Sequence, residues 1–204
     1  LATHGFEQSE LLKPLEELVM PKIGNAKILI LATHGFEQSE LLKPLEELRA
    51  KGAKVDVASP EEGQIRGWDG GDWGAAVPVN VPLSKVSEAD YDALVLPGGQ
   101  INPDLLRVNP QALELIKAFA DKGKVIGAIC HAPWLLIEAG LVKGRKVTSY
   151  HSIRTDMENA GGKWTDEPVV SDWGIVTSRK PDDLSHFIAK IVEEVEEGRH
   201  QRAA

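Results

Sequence analysis

Four short stretches of the chain are almost purely apolar: residues 27–32, 54–59, 93–96 and 124–129. Continuous apolar runs of this length mark strands buried on both faces, whereas a strand with one wet side alternates. Helical patterns lie between and after them. Residues 44–51 form a short candidate helix closed by Gly52, a residue that tolerates the left-handed conformation of a helix stop. Asn109 followed by Pro110 reads as an N-cap with proline at the first helical position. Leu113, Ile116 and Phe119 or Ala120 then recur at helical spacing up to Gly123. Pro181-Asp182 opens a last helix whose apolar stripe is Leu184, Phe187, Ile188, Ile191, Val192 and Val195. Its other face carries Glu193, Glu194, Glu196 and Glu197, which reads as a solvated acidic surface.

Strands alternating with helices predict an α/β fold, a mostly parallel sheet with helices on both faces. Two stretches interrupt the alternation. Residues 64–82 are rich in Gly and Trp, with Val77, Val79 and Val81 alternating. Residues 169–178 alternate around Asp172-Trp173-Gly174. Both read as hairpins. Trp68, Trp73 and Trp173 either pack these hairpins or line an interface. No linker-like composition divides the chain, so residues 20–197 read as a single domain and 198–204 as a frayed tail.

Residues 1–18 repeat residues 31–48 letter for letter. Evolved repeats drift, and a repeat array needs about three units to build a core. Only the second copy follows a strand-like run. Residues 1–19 therefore read as a cloning-derived duplicate, with Met20 as a candidate native start.

Charge narrows the function. Lys and Arg number 23 against 31 Asp and Glu, a net charge of −8 over 204 residues. That disfavours binding to a nucleic-acid duplex, which needs a basic face, but leaves nucleotides open as small substrates. No apolar run approaches the roughly 20 residues of a membrane span, and no basic leader precedes an apolar core at the front. The single cysteine, Cys130, allows neither an internal disulfide nor a paired-cysteine zinc site. A reducing, cytoplasmic setting is the default. No metal and no cofactor is expected.

In open parallel sheets, ligands bind beyond the carboxyl ends of the strands. Three of the apolar runs end in residues able to do chemistry: Thr33-His34-Gly35-Phe36-Glu37, Pro97-Gly98-Gly99 and Cys130-His131. Cys130 has small residues two positions away on both sides, Ala128 and Ala132, as a strand-to-helix nucleophile elbow requires. A helix over 131–139 would aim its dipole at the sulfur and lower the thiol pKa. Gly98 and Gly99 let backbone N–H groups approach a substrate, and one of them with the His131 N–H would make an oxyanion hole. Glu37 is a surface carboxylate or, if it points at Cys130 from a partly dry pocket, a protonated acid donating to the thiolate. His131 is an acid/base candidate or a structural helix-start histidine. Asp104 is a turn or cap residue at this level of reading. His34 and His151 are weaker polar candidates.

These residues together resemble the PfpI family, within the superfamily of Parkinson's-associated protein deglycases. The matching stretches are Gly35-Phe36-Glu37, Ala93-Leu94-Val95-Leu96-Pro97-Gly98-Gly99, Ala128-Ile129-Cys130-His131-Ala132-Pro133 and Thr177-Ser178-Arg179-Lys180-Pro181-Asp182-Asp183-Leu184. Gly67-Trp68 and Asp72-Trp73-Gly74 fit as well. The resemblance implies a flavodoxin-like three-layer sandwich. It implies Cys130 as the nucleophile, Glu37 as the acid touching it, and Gly99 with the His131 backbone as oxyanion donors. It further implies that His131 meets an acidic residue of a neighbouring subunit in a homo-oligomer, a place that Asp104 occupies in a loop one residue longer than in some relatives. Ala132 stands where glycine is frequent, and His151 where proline is.

The implied chemistry is attack by a thiolate on small carbonyl compounds such as methylglyoxal and glyoxal, or on their early adducts on proteins or nucleotides. The alternatives are a cysteine peptidase of the same fold and a non-enzymatic redox sensor or stress chaperone. A peptidase needs a groove and a dependable acid for the leaving amine. A glutamine amidotransferase shares the elbow but lacks its downstream His-Pro-Glu-like pair here.

Overall fold

The computed structural model describes residues 22–200; the duplicated segment lies outside the described residues. Joined by short 3-10 turns, the elements run β1 (Lys27–Leu31), β2 (Phe36–Glu37), α1 (Gln38–Ala50), β3 (Lys54–Ser59), β4 (Gln64–Asp69), β5 (Asp72–Pro78), β6 (Val81–Pro82) and β7 (Ala93–Leu96). They continue with α2 (Ile101–Leu106), α3 (Pro110–Asp121), β8 (Val125–Ile129), α4 (Pro133–Glu138), β9 (Lys146–Val147), α5 (Arg154–Asn159), β10 (Lys163–Trp164), β11 (Val169–Asp172), β12 (Ile175–Ser178) and α6 (Leu184–Glu197).

The four apolar runs become β1, β3, β7 and β8, the middle of a seven-stranded sheet ordered β11-β12-β8-β7-β1-β3-β6. All its pairings are parallel except β11 with β12. Alternate residues of each run bury into opposite layers. Ile28 and Ile30 pack with Leu41, Leu45 and Leu48 of α1 and with Phe187, Ile188 and Ile191 of α6. Leu29 and Leu31 pack with Ile116 and Phe119 of α3 and with Leu135 and Leu136 of α4. This is the α/β sheet with helices on both faces predicted by the alternating pattern, and the flavodoxin-like sandwich that the resemblance implied. Gly127, in the middle of β8, admits α6 closely, because a Cβ there would lie 2.7 Å from Ile191 Cδ1.

The sheet order sets the position of the site. From β1 the chain first moves outward to β3, then returns to add β7 on the other side. The crevice of an open α/β sheet lies at such a reversal. The carboxyl ends of β1, β7 and β8 border it.

Several local expectations need correction. Helix α1 starts at Gln38, not at Pro44; Pro44 sits inside it and is buried. Proline removes one helix hydrogen bond, but the apolar stripe Leu41, Pro44, Leu45 and Leu48 is buried against the sheet, and that burial outweighs one lost bond. The helix after Cys130 is only Pro133–Glu138. Glu194 is buried rather than solvated, accepting a hydrogen bond from Ser171 and lying 3.0 Å from His200 Nε2. The tail is tied down at least to His200, whose N–H donates to Gly123 O at 2.8 Å. The hairpin expected over 169–178 forms as β11 with β12; the one expected over 64–82 is shorter, β4 with β5 in a small separate sheet with β2, while Val81 and Pro82 make β6, paired parallel to β3 in the main sheet.

Candidate active site

Cys130 directly follows β8 and has φ = 64°, one of two described non-glycine residues in the left-handed region. That conformation costs a β-carbon-bearing residue of order 1–3 kcal/mol, and pins on both sides hold it. The Cys130 N–H donates to Ser178 O at 3.0 Å, and Cys130 O accepts from the Tyr150 N–H at 2.9 Å. The sulfur is turned toward a cavity of about 500 Å³. The lining includes Gly35, Glu37, Glu40, Trp68, Gly99, Ile101, His131 and Tyr150.

The acid against the thiol is Glu40, not Glu37. Glu40 is fully buried at the start of α1, and its Oε2 accepts from the Gly98 N–H at 2.8 Å. Its Oε1 is buried without a hydrogen bond to nitrogen or oxygen among the described residues; the group that interacts with this carboxyl is the Cys130 thiol. Burial pushes the Glu40 carboxyl up to about 8, opposed by the Gly98 N–H. Glu37 lines the same cavity half-buried and accepts from Ser39 Oγ at 3.3 Å. Its place at the mouth follows from pairing, since Glu37 sits opposite Trp68 where β2 meets β4. Burial, and next to it the charge of Asp69, raise its pKa, while Ser39 pulls the other way.

The thiol differs from the sequence expectation too. Burial pushes the Cys130 pKa up, and the Glu40 charge adds to this, against the pull of the Gly99 and His131 N–H groups. Six-residue α4 supplies too little dipole to reverse the effect. Cys130 and Glu40 therefore titrate as a coupled pair that resists carrying two negative charges in one dry site. With one proton between them, a thiolate forms when Glu40 keeps the proton.

Gly99 and His131 present their N–H groups to the sulfur. A Cβ on Gly99 would lie 2.6 Å from Gly35 O, and its φ is +80°, so glycine alone fits. Gly98 has a different place from the one expected: its N–H is spent on Glu40, and it is not among the cavity-lining residues. A Cβ there would sit 2.6 Å from Glu40 Oε2 and 2.7 Å from Cys130 Cβ. It is the floor that lets the acid and the thiol approach.

His131 lies with Nδ1 3.1 Å from Cys130 Sγ and Nε2 3.1 Å from Ser152 Oγ. Its ring stacks on Tyr150 with centroids 4.9 Å apart. Burial lowers its pKa, and the charge of His151 adds to this. Asp104 is exposed on α2, and no contact among the described residues brings it to His131. His34 accepts from the Arg66 N–H at 3.0 Å, and exposed His151 packs on Tyr150 and acts through its charge on His131. Glu40, Tyr150 and Ser152 were missed from sequence. For Glu40 a signal existed: it lies four residues before Pro44 and eight before Leu48, on the buried stripe of α1, where a carboxylate needs a reason.

The DJ-1/PfpI family model matches residues 26–194. The chain belongs to that family. "Deglycase PfpI" of Pyrococcus furiosus is 43% identical over 145 residues, 71% of this chain and 84% of that protein. "General stress protein 18" of Bacillus subtilis is 44% identical over 138 residues, 67% of this chain and 78% of its own. The crystal structure of Drosophila melanogaster DJ-1beta superposes with a TM-score of 0.75 at 28% identity, covering 84% of this chain and 94% of that one. Among the described residues, no helix is long and apolar enough to cross a membrane.

Proposed function

We propose that this DJ-1/PfpI protein is a cysteine-dependent deglycase, with glyoxalase activity on the free aldehydes, acting on methylglyoxal and glyoxal or their early adducts. The observation that carries the reading is the Cys130 sulfur beside the buried Glu40 acid and two backbone donors, at the wall of a cavity sized for a small molecule. Deglycase names among relatives above 40% identity support it. In the proposed reaction, Cys130 Sγ bonds to the aldehyde-level carbon of the adduct. The carbon–nitrogen bond breaks, and the amine leaves with a proton. A proton then passes from that carbon to its neighbour, so the first carbon is oxidised to a thioester while the second is reduced. Water hydrolyses the thioester to a 2-hydroxy acid and returns the thiol. The net change is adduct plus water to free amine plus 2-hydroxy acid, with no outside oxidant. Glu40 holds the proton that stabilises the thiolate, neutral His131 takes and returns protons, and the Gly99 and His131 N–H groups receive the developing oxyanion.

Turnover of methylglyoxal and of its freshly formed adducts by purified protein tests the reading. Cys130→Ala is expected to lower kcat/KM by about a thousandfold or more. Undiminished turnover in that variant refutes the nucleophile. Cleavage of a defined peptide, lost in the same variant, would replace the deglycase by the peptidase.

The working form is proposed to be a cytoplasmic homo-oligomer in which a second copy covers α2. Ile101, Leu105 and Val108 are exposed beside Asp104, and Val108 retains 77% of its accessible surface. Such a face suits burial against another copy, which would bring Asp104 to His131. Asp104→Asn is expected to weaken assembly or turnover, read by light scattering beside kinetics. Full activity in an intact oligomer removes the pairing.

A further inference from the structure

Glu37 is left over once Glu40 is assigned to the thiol, and the cavity around it is one-sided in charge. Among the described residues the lining holds two carboxyl groups, Glu37 and Glu40, and no lysine or arginine. The basic residues near the mouth are engaged elsewhere. Arg66 Nε donates to Gly74 O at 3.1 Å. Arg179 is held by Asp166 and Asp183 at 2.8 Å each, and Lys180 lies 3.0 Å from Asp182. Behind Glu37 stands Asp69, close enough to act on its charge and held by Gln38 Nε2 at 3.0 Å. Beside Glu37, across the β2–β4 pairing, Trp68 lends its ring to the lining. A half-buried carboxylate with no cationic partner is costly to keep. Next to an aromatic ring, it matches a planar cation: a guanidinium can place two N–H groups on the carboxylate and its face on the ring.

We propose that Glu37, backed by Asp69 and Trp68, makes the pocket select adducts carried on arginine side chains over adducts carried on phosphate-bearing nucleotides. The substrate choice rests on the deglycase reading; the cation preference of the pocket does not. A nucleotide phosphate entering the same mouth meets the Glu37 carboxylate with Asp69 behind it, and no lysine or arginine among the described lining residues.

Because Cys130 is the only cysteine in the chain, its thiol reports the local field directly. Two methanethiosulfonate probes of similar size, one carrying trimethylammonium and one sulfonate, are timed against the wild type, Glu37→Gln and Asp69→Asn. A change in thiol ionisation alters both rates alike and cancels in their ratio. The wild type is expected to favour the cationic probe over the anionic one by about tenfold or more, after correction for their rates with a free thiol. Glu37→Gln should remove most of that preference and Asp69→Asn a smaller part. A wild-type ratio near one, or a ratio unmoved by Glu37→Gln, overturns the proposal. The second arm compares kcat/KM for the methylglyoxal adducts of N-acetylarginine and of GMP. Glu37→Gln should shrink the arginine preference several-fold, chiefly through KM. Turnover of both adducts with an unchanged preference also overturns the proposal. If the wild type turns over neither adduct while the probe ratio behaves as stated, the deglycase reading fails and the cation-selective pocket stands.

Discussion

Cys130 and Trp173 share an uncommon backbone, with φ of 64° and 52°, yet for opposite reasons. Trp173 and Gly174, both at positive φ, close the antiparallel pair Asp172↔Ile175. A two-residue turn with both central residues left-handed matches the twist of a hairpin. Its geometry is thus local, and Trp173 points out with 58% of its surface exposed. Cys130 ends a parallel strand, where no hairpin asks for a left-handed residue. Its conformation is imposed by Ser178 and Tyr150, distant in sequence, and it turns a thiol out of the strand and against Glu40. The same dihedral is a turn in one place and a stored strain at a reactive group in the other.

The largest expected break in this comparison comes from the acid that only the Cys130 elbow has. In the folded chain Glu40 keeps its proton up to about pH 8, while in the unfolded chain it loses it near the ordinary value of 4.5. Between those two values the folded state holds one more proton than the unfolded state. This group's contribution therefore falls as pH rises across that window, by at most about 1.4 kcal/mol per pH unit. Glu40→Gln removes that fall. Denaturant titrations at pH 5 and pH 8 should show the variant gaining on the wild type as pH rises; a constant difference would mean that Glu40 ionises normally. The iodoacetamide rate of Cys130 against pH should also be displaced more by Glu40→Gln than by Glu37→Gln. The reverse order would restore Glu37 as the thiol's acid.

A smaller effect sharpens the strain itself. Both Cys130→Gly and Cys130→Ala delete the thiol, but only glycine accepts φ = 64° freely. The glycine variant should be more stable than the alanine variant by about 1 kcal/mol, read from urea midpoints. Equal midpoints would mean that the elbow relaxes once the sulfur is gone. The smallest effect belongs to the turn. Trp173→Asn keeps a residue that tolerates the left-handed region and should shift stability by under about 1 kcal/mol, with the alkylation rate of Cys130 unaltered. A change in that rate would show that the hairpin and the elbow communicate through β12.

Much of the fold was legible because it repeats a simple rule. Buried parallel strands must be apolar on both faces, and 27–32, 54–59, 93–96 and 124–129 announce themselves that way. The cap of α3 was legible for the same local reason, Asn109 Oδ1 accepting from the Ala112 N–H at 3.1 Å. The start of α1 was not, because Pro44 carries a strong local signal that only burial against the sheet overrides. In the site, Cys130 could be placed from short-range context, since an elbow needs small neighbours, while Gly99 and His131 were singled out by the family resemblance. The choice between Glu37 and Glu40 could not be made from sequence, because the periodicity that puts Glu40 on the buried stripe of α1 shows burial but not which carboxyl meets the sulfur. They lie three residues apart on one turn of chain, and which one meets the thiol depends on how α1 docks over Gly98.

By itself, then, the order of apolar and small residues determined a parallel sheet, its crevice and a cysteine at the lip of that crevice. Those features follow from burial and steric room, which act residue by residue. Tertiary structure alone decided which carboxyl is dry and faces the sulfur, that the thiol is pulled upward by burial rather than downward by a helix, and that Glu37 is left facing an open cavity with no cation beside it. Such properties depend on solvent exclusion and on charges brought close from separate segments, and neither is set until the layers have packed.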